Sequence, residues 1–150
     1  MRRNAVVLCA VILSACSGSD SSTAPTPTPV IPIQLAGVWT GTLSYTFDGK
    51  PYSHSLNATV SQDQLHVAAT LTLSDDWHAT LDGTLSGATA QAQLNAHVTL
   101  DAPSNQPPIR CTAGFDTTSQ AAATMTFRAD SAMFTPCADT ITDVTLTLRH

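Results

Sequence analysis

Tyr45 and Phe47 alternate along one stretch of the chain, Tyr52 and His54 along the next, and the turn signal Asp48-Gly49-Lys50-Pro51 separates them. Pairing residues symmetrically about that turn sets Phe47 opposite Tyr52, Tyr45 opposite His54 and Trp39 opposite Val60. Carrying the register through two further turns places Leu73 between Tyr52 and Trp77, and Leu71 between His54 and Ala79. Tyr45, Phe47, Tyr52, His54 and Trp77 then gather at one end of the domain, with Trp39 near the other. An aromatic mouth carrying one polar histidine is what a site for a small hydrophobic molecule requires. The competing expectation is that these rings cap a compressed core and that His54 is a buried histidine hydrogen-bonded to Tyr45 or to backbone.

Other residue types capable of chemistry do not converge. His66, His78 and His97 have outward parity and separate registers, so no metal site is expected. Asp75-Asp76 sits in a turn of its own, where paired carboxylates are usually solvated, and calcium needs more oxygens than that turn offers. Asn57-Ala58-Thr59 matches a glycosylation sequon but falls mid-strand. The chain has no G-x-S-x-G elbow, zinc helix or phosphate-cradling glycine loop, and the loop 101–108 contains one ionisable residue, Asp101. No enzyme activity and no cofactor are expected.

The N-terminus supplies an address. Met1-Arg2-Arg3-Asn4 is a short basic start, followed by an apolar run over 5–13 that is too short to span a bilayer as a mature helix, which reads as a signal peptide. It ends Leu13-Ser14-Ala15-Cys16, which resembles the lipobox of bacterial lipoproteins. The resemblance implies cleavage after residue 15, a diacylglyceryl group on Cys16 and an amide-linked acyl chain. Two or three chains make membrane attachment stable where one does not. Ser17, where Asp would mark retention, resembles sorting to the outer membrane. The competing reading is an ordinary secretory signal with a chance cysteine. Residues 16–34 pass from SGSDSST to APTPTPVIP, a flexible tether that becomes extended polyproline II.

Composition narrows the partners. All eleven acidic residues are Asp, and beyond the signal they face only Lys50, Arg110, Arg128 and Arg149, a net side-chain charge of −7. No basic patch remains to neutralise phosphates, so nucleic acid is excluded as a partner and the membrane is engaged through lipid. Of four cysteines, Cys9 leaves with the signal and Cys16 takes lipid, which leaves Cys111 and Cys137. In an oxidising envelope these are expected to pair as a disulfide, the alternative being two free thiols.

From residue 35 to 150 the pattern has period two, and no helical stripe competes with it. Leu35, Gly37, Trp39, Gly41, Leu43, Tyr45 and Phe47 form one face of a first strand. Further strands are expected at 52–60, 65–73, 77–85, 88–100, 109–116, 121–129 and 143–149, with a short one near 132–136. The fold class is therefore all-β, an up-and-down antiparallel meander of eight or nine strands, closed as a barrel because closure removes both hydrogen-bonding edges. A two-sheet sandwich is the alternative.

Gly37-Val38-Trp39 at the start of such a meander resembles the G-x-W opening of lipocalins and lipocalin-like bacterial lipoproteins. In that family the Trp packs at the closed end beneath an Arg from near the last strand. Arg149 is the candidate, although its alternation points it outward. Small residues, among them Gly41, Ala58, Ala69, Ala79, Ala96 and Ala113, crowd the inward parity and imply either a cavity or a flattened barrel. Two functions follow: an envelope lipoprotein that binds a small apolar ligand in a lipocalin-like barrel, or a non-enzymatic module with a filled core that binds an envelope protein as scaffold or inhibitor.

Overall fold

The computed structural model describes residues 33–87, 91–104 and 109–150. The signal segment 1–15, Cys16 and the tether as far as residue 32 lie outside the described residues, as do Ala88 and Ala90 at the expected start of the fifth strand.

Eight antiparallel strands follow one another: β1 (Gly37–Phe47), β2 (Lys50–Asp63), β3 (His66–Leu73), β4 (His78–Ser86), β5 (Gln93–Pro103), β6 (Arg110–Gln120), β7 (Thr124–Met133) and β8 (Thr140–Arg149). Each pairs with its chain neighbour except β6 with β7, and β1 also pairs with β8, so the sheet runs β6-β5-β4-β3-β2-β1-β8-β7. The first and last strands close by a ladder with one register shift, and the ring is left open between two strands consecutive in the chain. The result is an all-β meander nearly closed into a barrel.

That seam is stitched mainly by side chains. The Ser119 hydroxyl accepts the Thr126 amide at 2.8 Å, while Thr117 Oγ1 accepts the Arg128 amide at 3.1 Å and donates to the Arg128 carbonyl at 2.9 Å. Toward the other end, Thr112 and Thr135 exchange backbone bonds of 2.8 and 2.9 Å, and Cys111 and Cys137 stand at disulfide distance with Cα atoms 5.8 Å apart. The sixth strand runs to Gln120, beyond the expected end at 116: residues 117–120 show no apolar alternation, and the hydroxyls of Thr117 and Ser119 serve the seam. The expected short strand near 132–136 is not a separate element. Ala132 and Met133 end β7, and Thr135 belongs to the isolated bridge.

The interior is one continuous cluster, with Trp39, Phe127, Leu35, Leu43, Leu71 and Leu94 among its largest fully buried side chains. The small inward residues lie against these large ones, as a barrel of eight strands just wide enough to be filled demands. Gly41 has a further reason to be small. A Cβ there would overlap the Thr147 carbonyl oxygen, so β1 and β8 approach as they do only because residue 41 is glycine.

Trp39 packs at the end where the chain enters the barrel. Its indole nitrogen donates to the Leu35 carbonyl at 2.8 Å, and its ring meets His150 edge-on with centroids 5.0 Å apart. His150, rather than the expected Arg149, therefore lies against Trp39. Arg149 is exposed and pairs with Thr40. Gln62 pins the entering segment, accepting the Leu35 amide at 2.7 Å and donating to the Ile33 carbonyl at 2.9 Å.

Candidate functional site

The opposite end of the barrel is built by the ends of β1, β3, β5 and β7 and the starts of β2, β4, β6 and β8. Asp48 and Gly49, at φ 48° and 71°, form a two-residue hairpin loop of the kind favoured by the right-handed twist of its strands. The turn is two residues shorter than the sequence suggests, so Phe47 pairs with Lys50, Tyr45 with Tyr52 and Leu43 with His54. The shift is even, so parity is kept: Tyr45 and His54 are buried, while Phe47 and Tyr52 on the same parity stand exposed at the rim. On the other side of Tyr45, the β1–β8 register slips between Ser44 and Thr46, with Asp143 at φ 54°. This bulge faces Tyr45, and the inward parity of β8 switches between Ile141 and Val144 across it.

Tyr45 is the hub. Its ring stacks on Tyr52, His54 and Trp77 at centroid distances of 5.6, 5.7 and 5.4 Å, and His54 stacks on Trp77 at 4.7 Å. Phe47 tilts against Tyr52 at 6.4 Å, and Trp77 meets Phe134 edge-on at 5.6 Å. All five residues of the expected mouth are therefore together. Phe134, just before the β7–β8 turn, was missed because the alternation of β7 also changes phase, between Ala129 and Ala132.

Beneath the rings runs a polar relay. Tyr45 Oη lies 3.1 Å from His54 Nε2, and His54 Nδ1 lies 3.1 Å from Asp75 Oδ2 and 3.3 Å from Ser74 Oγ. His54 is buried, while the Asp75 carboxylate remains largely exposed. Each ring nitrogen of His54 thus has a partner, Asp75 at Nδ1 and the Tyr45 hydroxyl at Nε2, and the buried pair leaves no polar side-chain atom unsatisfied. Asp75 and Asp76 both sit at φ 60°, a left-handed pair that Asp tolerates better than most residues, and this tight turn folds Asp75 back toward His54. The carboxylate expected to stand alone in solvent is thus the histidine's partner. Burial first, then the proximity of Tyr52 and Asp75, pushes the Tyr45 phenol up to about 12.

Asp76 belongs to a second network. Arg110 donates to Asp76 Oδ2 at 2.9 Å and to Asp101 Oδ1 at 2.8 Å, tying the β3–β4 turn to β5 and β6. The other histidines are spread out: His66 pairs with Asp82 at 2.8 Å and His97 with Asp116 at 2.7 Å on the outer face, and His78 lies 3.5 Å from Asp76. Among the described residues no group of three or more His, Cys, Asp or Glu could hold a metal ion.

Above the relay, a cleft of about 230 Å³ opens at the mouth, lined by Tyr45, Phe47, Trp77, Phe134, Asp139 and Ile141, with Ala102, Pro103, Ser104 and Cys111 completing its wall. Phe47, Tyr52, Ile109 and Met133 leave apolar surface exposed at the same end of the barrel. The fold and site together define a class, a small up-and-down barrel with an aromatic mouth. Comparison with known protein families, curated proteins and solved structures finds no match to this chain.

Proposed function

We propose that the protein is a lipid-anchored barrel of the bacterial cell envelope, held to the outer membrane through Cys16, which binds a small apolar ligand at its mouth and catalyses no reaction. The observation that carries this reading is the cleft of about 230 Å³ lined by Tyr45, Phe47, Trp77 and Phe134. Drug-sized ligands occupy pockets of roughly 300–1,000 Å³, so this one suits a smaller molecule or one end of a larger one. The binding site lies at the rim, because the barrel interior is occupied by its own side chains. The described chain enters beside Trp39, at the end opposite the mouth.

The two tryptophans make the test direct. Trp77 lines the cleft, whereas Trp39 is buried at the other end. An apolar ligand should quench wild-type fluorescence and leave a Trp77→Phe variant unaffected. Mass spectrometry of small molecules extracted from protein purified out of native membranes supplies the natural ligand, and its absence together with unquenched Trp77 rejects the proposal. Anchoring is tested separately: Cys16→Ser should abolish palmitate labelling and release the protein from the membrane fraction.

The stacking of Tyr45 on three rings favours a second reading, in which the mouth is filled and the exposed Phe47, Tyr52 and Met133 meet a protein partner. That reading expects an envelope protein to cross-link at the mouth, and no small molecule to protect it.

A further inference from the structure

We propose that the mouth cleft is a site for a small organic ammonium ion, held against the rings of Tyr45, Trp77 and Phe134 and by the carboxylate of Asp139. The inference rests on the reading of the mouth as a ligand site and replaces "apolar" with a charge and a shape. Aromatic rings line much of the cleft, and a ring face carries the negative end of its quadrupole, which attracts a weakly hydrated cation. Asp139 is the one carboxylate in the lining. Its backbone carbonyl accepts the Phe134 amide at 2.7 Å, which ties the acid to the ring beside it.

The charges of this rim select for a cation. Among the described residues, the Asp139 carboxylate has no ion-pair partner. Arg110 is committed to Asp76 and Asp101, and Lys50, in the β1–β2 hairpin, is not part of the lining. Asp75, paired with His54 next to Tyr45, adds to the negative potential of this end of the barrel. A neutral apolar ligand leaves the Asp139 carboxylate beside it without a counter-charge, and an anion would be repelled. An alkylammonium group satisfies both rings and carboxylate. The small volume fits a compact headgroup such as a trimethylammonium better than an acyl chain.

Isothermal titration of the full chain with choline and with dimethylbutanol, its neutral tert-butyl isostere, tests the charge alone. Choline is expected to bind about tenfold more tightly at low salt, with the advantage shrinking as salt is raised. Asp139→Asn should lower choline affinity severalfold and leave dimethylbutanol unchanged, with circular dichroism confirming an intact sheet for this exposed loop residue. Equal affinity for the two probes overturns the ammonium site while leaving a neutral-ligand mouth standing. Choline binding that survives both Asp139→Asn and Trp77→Leu overturns its placement in this cleft. Failure of both probes to bind, with Trp77 unquenched by any apolar ligand, overturns the ammonium site and the ligand reading together.

Discussion

Tyr45 Oη meets His54 at Nε2, 3.1 Å away, while Asp75 meets the same ring at Nδ1, also at 3.1 Å. A residue of β1, one of β2 and one from the β3–β4 turn are thereby joined in a line across the mouth, and the tautomer of a buried histidine is set by its partners.

The phenol at the head of that line should titrate late. Its ionisation is pushed up to about 12, by burial first and then by Tyr52 and Asp75. The folded state therefore holds this proton more tightly than the unfolded chain, where tyrosine ionises near 10. The resulting stability is fully present below about pH 10 and is lost as pH rises toward 12. We expect ultraviolet titration to show a tyrosine ionising near pH 12 that disappears in Tyr45→Phe, and thermal melts in which the wild type loses more stability over that interval than the variant.

Removing either member of this pair strands the other. His54→Leu leaves the Tyr45 hydroxyl buried without its partner and Tyr45→Phe leaves His54 Nε2 in the same position, each a penalty of about 1–3 kcal/mol. The double variant should be less destabilised than the sum, with a coupling of at least about 0.5 kcal/mol in urea denaturation. Strict additivity would mean that the two groups do not act as a pair.

At the seam, Ser119→Ala strips the Thr126 amide of its acceptor between two strands that share no regular ladder. A loss of about 1–3 kcal/mol is expected. Amide hydrogen exchange should accelerate at Thr126 before it accelerates at the β1–β8 ladder, since the ring opens where its backbone pairing is interrupted.

Cys111 and Cys137 bracket the same seam at the mouth, 26 residues apart in sequence. Mass spectrometry of the unreduced protein should find no free thiol at either position. Loss of the cross-link in Cys111→Ser/Cys137→Ser should cost about 3–4 kcal/mol by the loop-closure argument. The loss should be accompanied by faster exchange at Thr112, whose amide donates to Thr135 across the gap.

Gly41→Ala is the smallest change with a large expected effect. The added methyl has nowhere to go against the Thr147 carbonyl, so β1 and β8 must separate. We expect about 3 kcal/mol of destabilisation or more, measured by chemical denaturation. A variant as stable as wild type would mean that these strands do not approach as described.

Much of the barrel was legible in the chain, because a strand writes its two faces into every second residue. Leu43, Leu71, Leu94 and Leu146 each fall on an inward parity and are each fully buried. An even error in register, as at the first hairpin, leaves that parity intact. For the same reason the meeting of Tyr45, Phe47, Tyr52, His54 and Trp77 was visible in advance.

Tertiary structure alone decided what breaks the alternation. Phe134 reaches Trp77, and Ile141 faces inward beside Val144, only because β7 and β8 change phase. Asp75 finds His54 because two successive left-handed residues turn it back, and His150, rather than Arg149, lies on Trp39. Where the ring stays open was likewise absent from the pattern, since Thr117 and Ser119 read as ordinary polar residues until β7 lies beside them. Periodicity is a local property, carried by each residue's own backbone. Closure, turn handedness and the partners of a buried polar group depend on which distant strands share the space.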